Sequence, residues 1–370
     1  MISTSKIVDE IEIKKKSLLN SFLLNHKYDS NFKKFKRFKT VVIIGMGGSI
    51  LASKAIYFFL KHKIKKSFIF IDNLDQDFLK KIKNKNKKSN ILFLIVSKSG
   101  NTSETIINSS YFQSFFNKSN VIIISEKKDN VLSNFAKNKK LTFVAHNPYI
   151  GGRYSVFSEV GMVPAYLMGL NTFNFKNKLK RLLNNKKILS QSLKNLSKVH
   201  KNKTKVIVLF NYVPELSYFL FWLQQLLAES LGKNKKGFLP IVSNAPKDHH
   251  SLLQLYLDGP KDKFFYVFSC KKKKNIKINC NSFGDKMRYL NQKKYDDVKI
   301  AQKNAFLSAL KEKRIPFREI KIKEFNENNL GELFLKFIFE TIALAKIMRI
   351  NPFDQPAVER VKILTKRFLI

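Results

Sequence analysis

Two α/β units in tandem, each a parallel sheet covered by helices on both faces, are predicted by three features of the 370-residue sequence. From residue 41 onward, short β-branched runs alternate with helix-length segments. The runs are apolar at successive positions instead of every second one, the pattern of strands buried on both faces. After a long helical stretch the same alternation begins again.

The elements follow in order. In the first unit, strands are predicted at 41–44, 67–71, 91–96, 121–124 and 142–145, where Val, Ile and Phe cluster between polar or glycine-containing turns. Helices are predicted near 50–62, 75–82, 103–116 and 129–137. A helical region over roughly 155–200 leads to the second unit. Its strands are expected at 205–210, 238–242, 264–268 and 317–322, and its helices near 214–231, 249–257, 298–312 and 329–349. The expected domains are an N-terminal helical extension (1–30), a first α/β domain (31–170), a helical connection (171–200), a second α/β domain (201–350) and a C-terminal helix (351–370).

Composition narrows the function classes. With 44% hydrophobic and 13% aromatic residues, wholesale disorder is excluded. Two cysteines, Cys270 and Cys280, exclude a disulfide framework and a four-cysteine metal site, and they fit a reducing compartment. The net charge is +43, yet only nine of the 70 basic residues are arginine. Base reading and bidentate phosphate contacts favour arginine, and the lysines are spread over every segment, so a solvated surface outweighs nucleic-acid binding. A positive field still draws in anionic small molecules. Residues 1–16 mix Asp9, Glu10 and Glu12 with lysines and hold no apolar signal core. The weakly charged stretch 41–60 contains Lys54 and a glycine cluster, which reads as strand, loop and buried helix and not as a membrane span. A soluble, cytoplasmic protein that binds neither membrane nor nucleic acid is expected.

Six motifs carry chemistry. Gly45-Met46-Gly47-Gly48-Ser49 follows the first strand and opens a helix, so its backbone can turn tightly and aim N–H groups at an anion. Ser97-Lys98-Ser99-Gly100-Asn101-Thr102 follows the third strand and brings hydroxyls, an ammonium and a helix N-terminus to one loop. In a doubly wound sheet of flavodoxin type these two loops face each other across the ligand crevice, which favours a phosphate site. Gly151-Gly152-Arg153 projects a permanent cation and equally suits a surface ion pair. Gln225 and Glu229 share a face of an apolar helix. A partly desolvated carboxylate there would have its pKa raised toward that of a base, although unaided the pair reads better as a polar helix edge. Asp248-His249-His250 offers acid–base chemistry or a simple helix cap. Finally, Asp354-Gln355-Pro356 opens a helix on which Glu359 and Lys362 are spaced to pair.

Taken in order, Gly45-Met46-Gly47-Gly48-Ser49, the Ser97-Lys98 loop with Glu104-Thr105, Gly151-Gly152-Arg153, Glu229-Ser230-x-Gly232-Lys233, His250-Ser251-x-x-Gln254 and Asp354-Gln355 with Glu359-x-x-Lys362 resemble the glucose-6-phosphate isomerase family. The resemblance spans 41–362 and implies two sugar-isomerase (SIS) domains. It implies interconversion of glucose 6-phosphate and fructose 6-phosphate with no metal and no organic cofactor. Glu229 would carry the proton between C1 and C2, and Arg153 would stabilise the cis-enediolate. His250 and Lys362 would assist ring opening. Gly48, Ser49, Ser97, Lys98, Ser99 and Thr102 would hold the substrate, chiefly its phosphate, with Gln225 orienting it. The resemblance also implies a homodimer with shared active sites, the histidine reaching the neighbouring subunit. Ser99-Gly100-Asn101-Thr102 stands where the family usually has Thr-Phe-Thr-Thr and is similar to the loop of dual phosphoglucose/phosphomannose isomerases, which is one alternative. The other is a non-catalytic SIS-type sugar-phosphate sensor, which would not need Glu229, Arg153, His250 and Lys362 together.

Overall fold

Among the described residues, nine strands form two wholly parallel sheets. In the first, β1 (Thr40–Gly45), β2 (Ser67–Ile71), β3 (Ile91–Val96), β4 (Val121–Glu126) and β5 (Thr142–His146) lie in the order β2-β1-β3-β4-β5, the flavodoxin-type arrangement expected. In the second, β6 (Val206–Asn211), β7 (Leu239–Asn244), β8 (Lys263–Cys270) and β9 (Phe317–Ile322) repeat that order one strand short, as β7-β6-β8-β9. The computed structural model describes residues 28, 32–177, 204–270 and 276–370. The expected N-terminal extension, apart from Tyr28, and the helical connection beyond residue 177 lie outside the described residues.

The continuous apolar runs have the expected cause: every residue of β3 and of β4 is buried. Alternate side chains go to opposite faces. Val41 and Ile43 enter a central core, whereas Val42 and Ile44 enter an outer one under α2 (Gln76–Lys85) and α4 (Val131–Asn138). The central core is continuous between the two sheets. It is filled by α1 (Leu51–Phe59), α5 (Glu159–Leu167), α6 (Ser217–Leu231) and α9 (Glu327–Ile347). Trp222 of α6 meets Phe334 of α9 edge-on at 4.7 Å, and Phe58 of α1 stacks on Tyr218 of α6 at 4.2 Å. α1 and α6 each follow the first strand of a sheet, and they pack directly against each other.

Several boundaries differ from the sequence reading. The helix expected at 103–116 ends as α3 (Ser103–Tyr111) and continues as a 3₁₀ turn, Gln113–Phe115. The one expected at 249–257 is a 3₁₀ turn, Lys247–His249, followed by the short α7 (Leu253–Asp258). α8 (Tyr295–Glu312) and α10 (Pro356–Phe368) complete the helices named here, and no residue of α10 is buried. Among the described residues no helix is long and apolar enough to cross a membrane.

Candidate active site

Gly45 of β1 pairs with Val96 of β3, so the loops that follow leave the sheet side by side. In the first loop Gly47 has φ +52°, a left-handed conformation that suits glycine. A Cβ at Gly48 would lie 2.2 Å from the carbonyl carbon of Gly152 and 2.5 Å from the backbone nitrogen of Arg153. Close approach of two backbones therefore explains this glycine. In the second loop the Ser97 and Thr102 hydroxyls are 2.8 Å apart, and Ser97 Oγ accepts the Gly100 N–H at 3.2 Å. Ser99 Oγ accepts the Asn101 N–H at 3.2 Å. Thr102, the residue before α3, makes no side-chain capping bond, leaving the first-turn N–H groups of that helix to solvent or ligand. Lys98 is already partnered: its Nζ donates to the Pro148 carbonyl at 2.9 Å and lies 3.6 Å from the Glu126 carboxylate.

The glycine turn delivers Arg153 into a polar cluster inside the central core, where it is 2% exposed. The guanidinium has five N–H donors, and each has an acceptor. Nε donates to Ser230 Oγ at 2.9 Å. Nη1 donates to Glu229 Oε2 at 3.0 Å and to Gln355 Oε1 at 2.8 Å. Nη2 donates to the carbonyls of Pro352 at 2.6 Å and Asp354 at 3.1 Å. The Arg153 carbonyl accepts the Trp222 indole N–H at 3.1 Å, and buried Tyr154 lies 2.8 Å from Ser230 Oγ. Burial pushes the Tyr154 hydroxyl pKa up, which keeps it a neutral hydrogen-bonding group.

Glu229 sits at the rim of this cluster with its side chain 32% exposed. Its other oxygen, Oε1, accepts the Gln225 amide at 2.9 Å, one helical turn away on α6. Each carboxylate oxygen therefore carries one fixed donor and retains a lone pair for a proton. A Cβ at Gly47 would lie 2.8 Å from Gln225 Nε2, so the first loop rests directly on the residue that holds Glu229. Gln225 Oε1 is buried and accepts no hydrogen bond, a position suited to a substrate hydroxyl or a water.

Two expected members are elsewhere in the single chain. His250 ends the turn after β7 and is exposed, whereas His249 faces inward, stacked on Phe210 and 2.7 Å from Tyr212 Oη. Burial, with a smaller contribution from His250, lowers the His249 pKa. Asp248 secures this turn by accepting from Asn244 N–H at 2.7 Å and from the Ser243 and Ser251 hydroxyls at 2.8 and 3.1 Å. Partial burial opposes its charge, but these bonds outweigh it and hold the carboxyl below its ordinary pKa. Lys362 does not join Glu229. It is 64% exposed on α10 and pairs with Glu359 at 2.6 Å, because α10 leaves the body just after Gln355.

The chain as a whole has counterparts among known proteins. A family model described as phosphoglucose isomerase matches residues 8–369. The chain belongs to the phosphoglucose isomerase family. The glucose-6-phosphate isomerase of Methanocaldococcus jannaschii is 32% identical over 356 residues, covering 92% of this chain and 88% of that one. The one from Mycoplasmopsis synoviae is 31% identical, covering 88% and 81%. Among solved structures, a hypothetical protein from Thermus thermophilus superposes with a TM-score of 0.88 at 24% identity, covering 99% of this chain and 94% of that one. A glucose-6-phosphate isomerase from Chlamydia trachomatis gives 0.76 at 19% identity, covering 98% and 77%. These last two share the two-sheet fold.

Nothing in the sequence assigns roles to Tyr154, Ser230, Lys233, Gln355 or the carbonyls of Pro352 and Asp354, although all flank Arg153 or hold what does. Ser230, Lys233 and Gln355 stand inside quoted motifs and Tyr154 directly follows one, which is the signal that was available. The carbonyls carry none, since any residue supplies one.

Proposed function

We propose that interconversion of glucose 6-phosphate and fructose 6-phosphate, the reaction of this phosphoglucose isomerase, runs at the Glu229–Arg153 cluster. The observation that carries the reading is the Glu229 carboxylate fixed between the Gln225 amide and the Arg153 guanidinium, beside the glycine turn. The phosphate is assigned to Ser97, Ser99, Thr102 and the α3 N-terminus, with Gly48 and Ser49 lining the opposite loop and Lys98 exchanging the Pro148 carbonyl for the dianion. Glu229 takes the C2 proton of the opened aldose and returns it to C1. The hydroxyl proton moves from O2 to O1, so no atom is gained or lost. Arg153 balances the enediolate charge that exists only between these steps.

Ring opening is assigned to His250 and Lys362. A homodimer is inferred in which His250 of each chain enters the neighbour's site, supported by its outward position. The exposed Val361, Phe368 and Leu369 of α10 and the residue after it support a covered position for the Lys362 helix in that dimer.

Purified protein given fructose 6-phosphate should form a product that glucose-6-phosphate dehydrogenase oxidises; a flat trace with active coupling enzyme would remove the assignment. Sharing is tested by mixing inactive Glu229→Gln and His250→Ala chains. Random reassociation should restore about a quarter of the wild-type sites, each built from one intact half of either chain. No recovery, with mixed dimers demonstrated by mass, would place His250 outside the shared site.

A further inference from the structure

We propose that Lys233 is a positioning residue for this reaction: it clamps residues 351–354 so that Gln355 and two backbone carbonyls stay on the Arg153 guanidinium. The inference rests on the reaction assigned above. Three of the five acceptors of Arg153 come from one short connection between α9 and α10: the Pro352 carbonyl, the Asp354 carbonyl and Gln355 Oε1. This connection has no helix or strand of its own. α10, which follows it, buries no residue against its own chain and gives it no anchor there. Pro352 is buried and its carbonyl also accepts the Tyr154 hydroxyl at 3.0 Å, but the exposed Asn351 and Asp354 on either side of it need a further hold.

Lys233 supplies it. Its Nζ donates to the Asn351 carbonyl and to Asp354 Oδ1, the latter at 2.7 Å. Asn351 in turn donates to Asp354 Oδ2 at 3.0 Å, and the Phe353 N–H donates to Asn351 Oδ1 at 3.1 Å, so one ammonium closes a small ring of bonds. Unlike most of the described lysines, Lys233 is itself well covered, with its side chain 10% exposed. It lies two residues past the end of α6, one turn beyond Glu229. One rigid helix therefore carries Gln225, Glu229, Ser230 and, at its end, the clamp. The Lys233 bond holds the Asp354 carboxyl below its ordinary pKa, in keeping with a formed ion pair.

Releasing the clamp has a chemical consequence. Arg153 would lose three neutral acceptors and become free to turn its fork fully onto Glu229. A bidentate pair would occupy both oxygens of the carboxylate and withdraw the base. Turnover should suffer and substrate binding should not.

The experiment uses full-length Lys233→Met, Lys233→Arg and Asp354→Asn proteins, with steady-state kinetics on fructose 6-phosphate and amide hydrogen exchange across 351–370. For Lys233→Met, kcat should fall about tenfold to hundredfold while KM stays within about threefold. Amides of 351–358 should exchange at least about tenfold faster. Lys233→Arg, which keeps a cation able to reach both acceptors, should return most of the lost kcat. Asp354→Asn should shift both readouts in the same direction by less, which keeps the test open if Lys233→Met folds poorly. A normal kcat with loosened 351–358, or a lost kcat with unchanged exchange there, overturns the proposal. An inactive wild-type protein would instead defeat the assigned reaction, while the exchange measurement still decides whether Lys233 is the clamp.

Discussion

Glu229→Gln should lower kcat by about three to four orders of magnitude, the contribution expected of a well-placed general base. The substitution keeps the shape and the helix-forming tendency of the side chain, and an amide oxygen can still accept the Gln225 N–H now seen at 2.9 Å. What disappears is the proton acceptor and the negative charge 3.0 Å from Arg153. Arg153 keeps four other acceptors, so its burial remains satisfied by hydrogen bonds, although no longer by an opposite charge. Because Glu229 is one-third exposed, solvent already screens part of that attraction, and the loss in stability should be only about 1–2 kcal/mol. The coupled assay and a thermal melt on the same preparation separate the two effects. Near-normal turnover in the variant would take Glu229 out of the reaction, and a collapse in melting temperature would make it a structural member of the cluster.

The sheets were readable from the chain because burial on both faces leaves a signature that no polar residue interrupts, as in 91–96. Strand order followed from the same reading, once the glycine loop and the hydroxyl loop were placed at the first and third strands. The site was legible as a set of residues and much less as a geometry. Nothing local distinguishes Arg153 in a surface pair from Arg153 in the core, since its partners at 229, 352, 354 and 355 are 76 to 202 residues away. Lys98 belongs to the expected loop, yet its ammonium is spent on Pro148 and Glu126. Lys362 shows the opposite case. Its motif and helix were both readable, but whether a helix lies against the body depends on surfaces that a single chain does not bury.

Arg153→Ala should lower kcat about a hundredfold to a thousandfold and should also destabilise the protein. The stability cost comes from the acceptors left behind: the Asp354 carbonyl and Gln355 Oε1 lose this donor, the Pro352 carbonyl and Ser230 Oγ are left with the Tyr154 hydroxyl alone, and a cavity opens beneath Tyr154. With Glu229 able to hydrate at the rim, about 2–4 kcal/mol is expected, near the lower end for breaking a buried charge pair. The catalytic cost has a different origin. All five donors are already committed, so the guanidinium can reach a substrate oxygen only by exchanging a partner. Nη1 is the atom placed to do so, because both of its acceptors, Glu229 and Gln355, are only partly buried, whereas Nη2 faces the buried Pro352 carbonyl. Such an exchange is worth making only for a full negative charge, which the substrate acquires as the enediolate forms and the ground state lacks. Accordingly, KM should move far less than kcat, and the affinity for a hydroxamate that mimics the enediolate should fall in parallel with kcat/KM. Arg153→Lys should recover part of the stability and little of the turnover, since an ammonium carries the charge without the five-donor fork. If substrate and hydroxamate were weakened equally, Arg153 would be a brace for the 351–355 segment and the enediolate charge would have to be met by another cation.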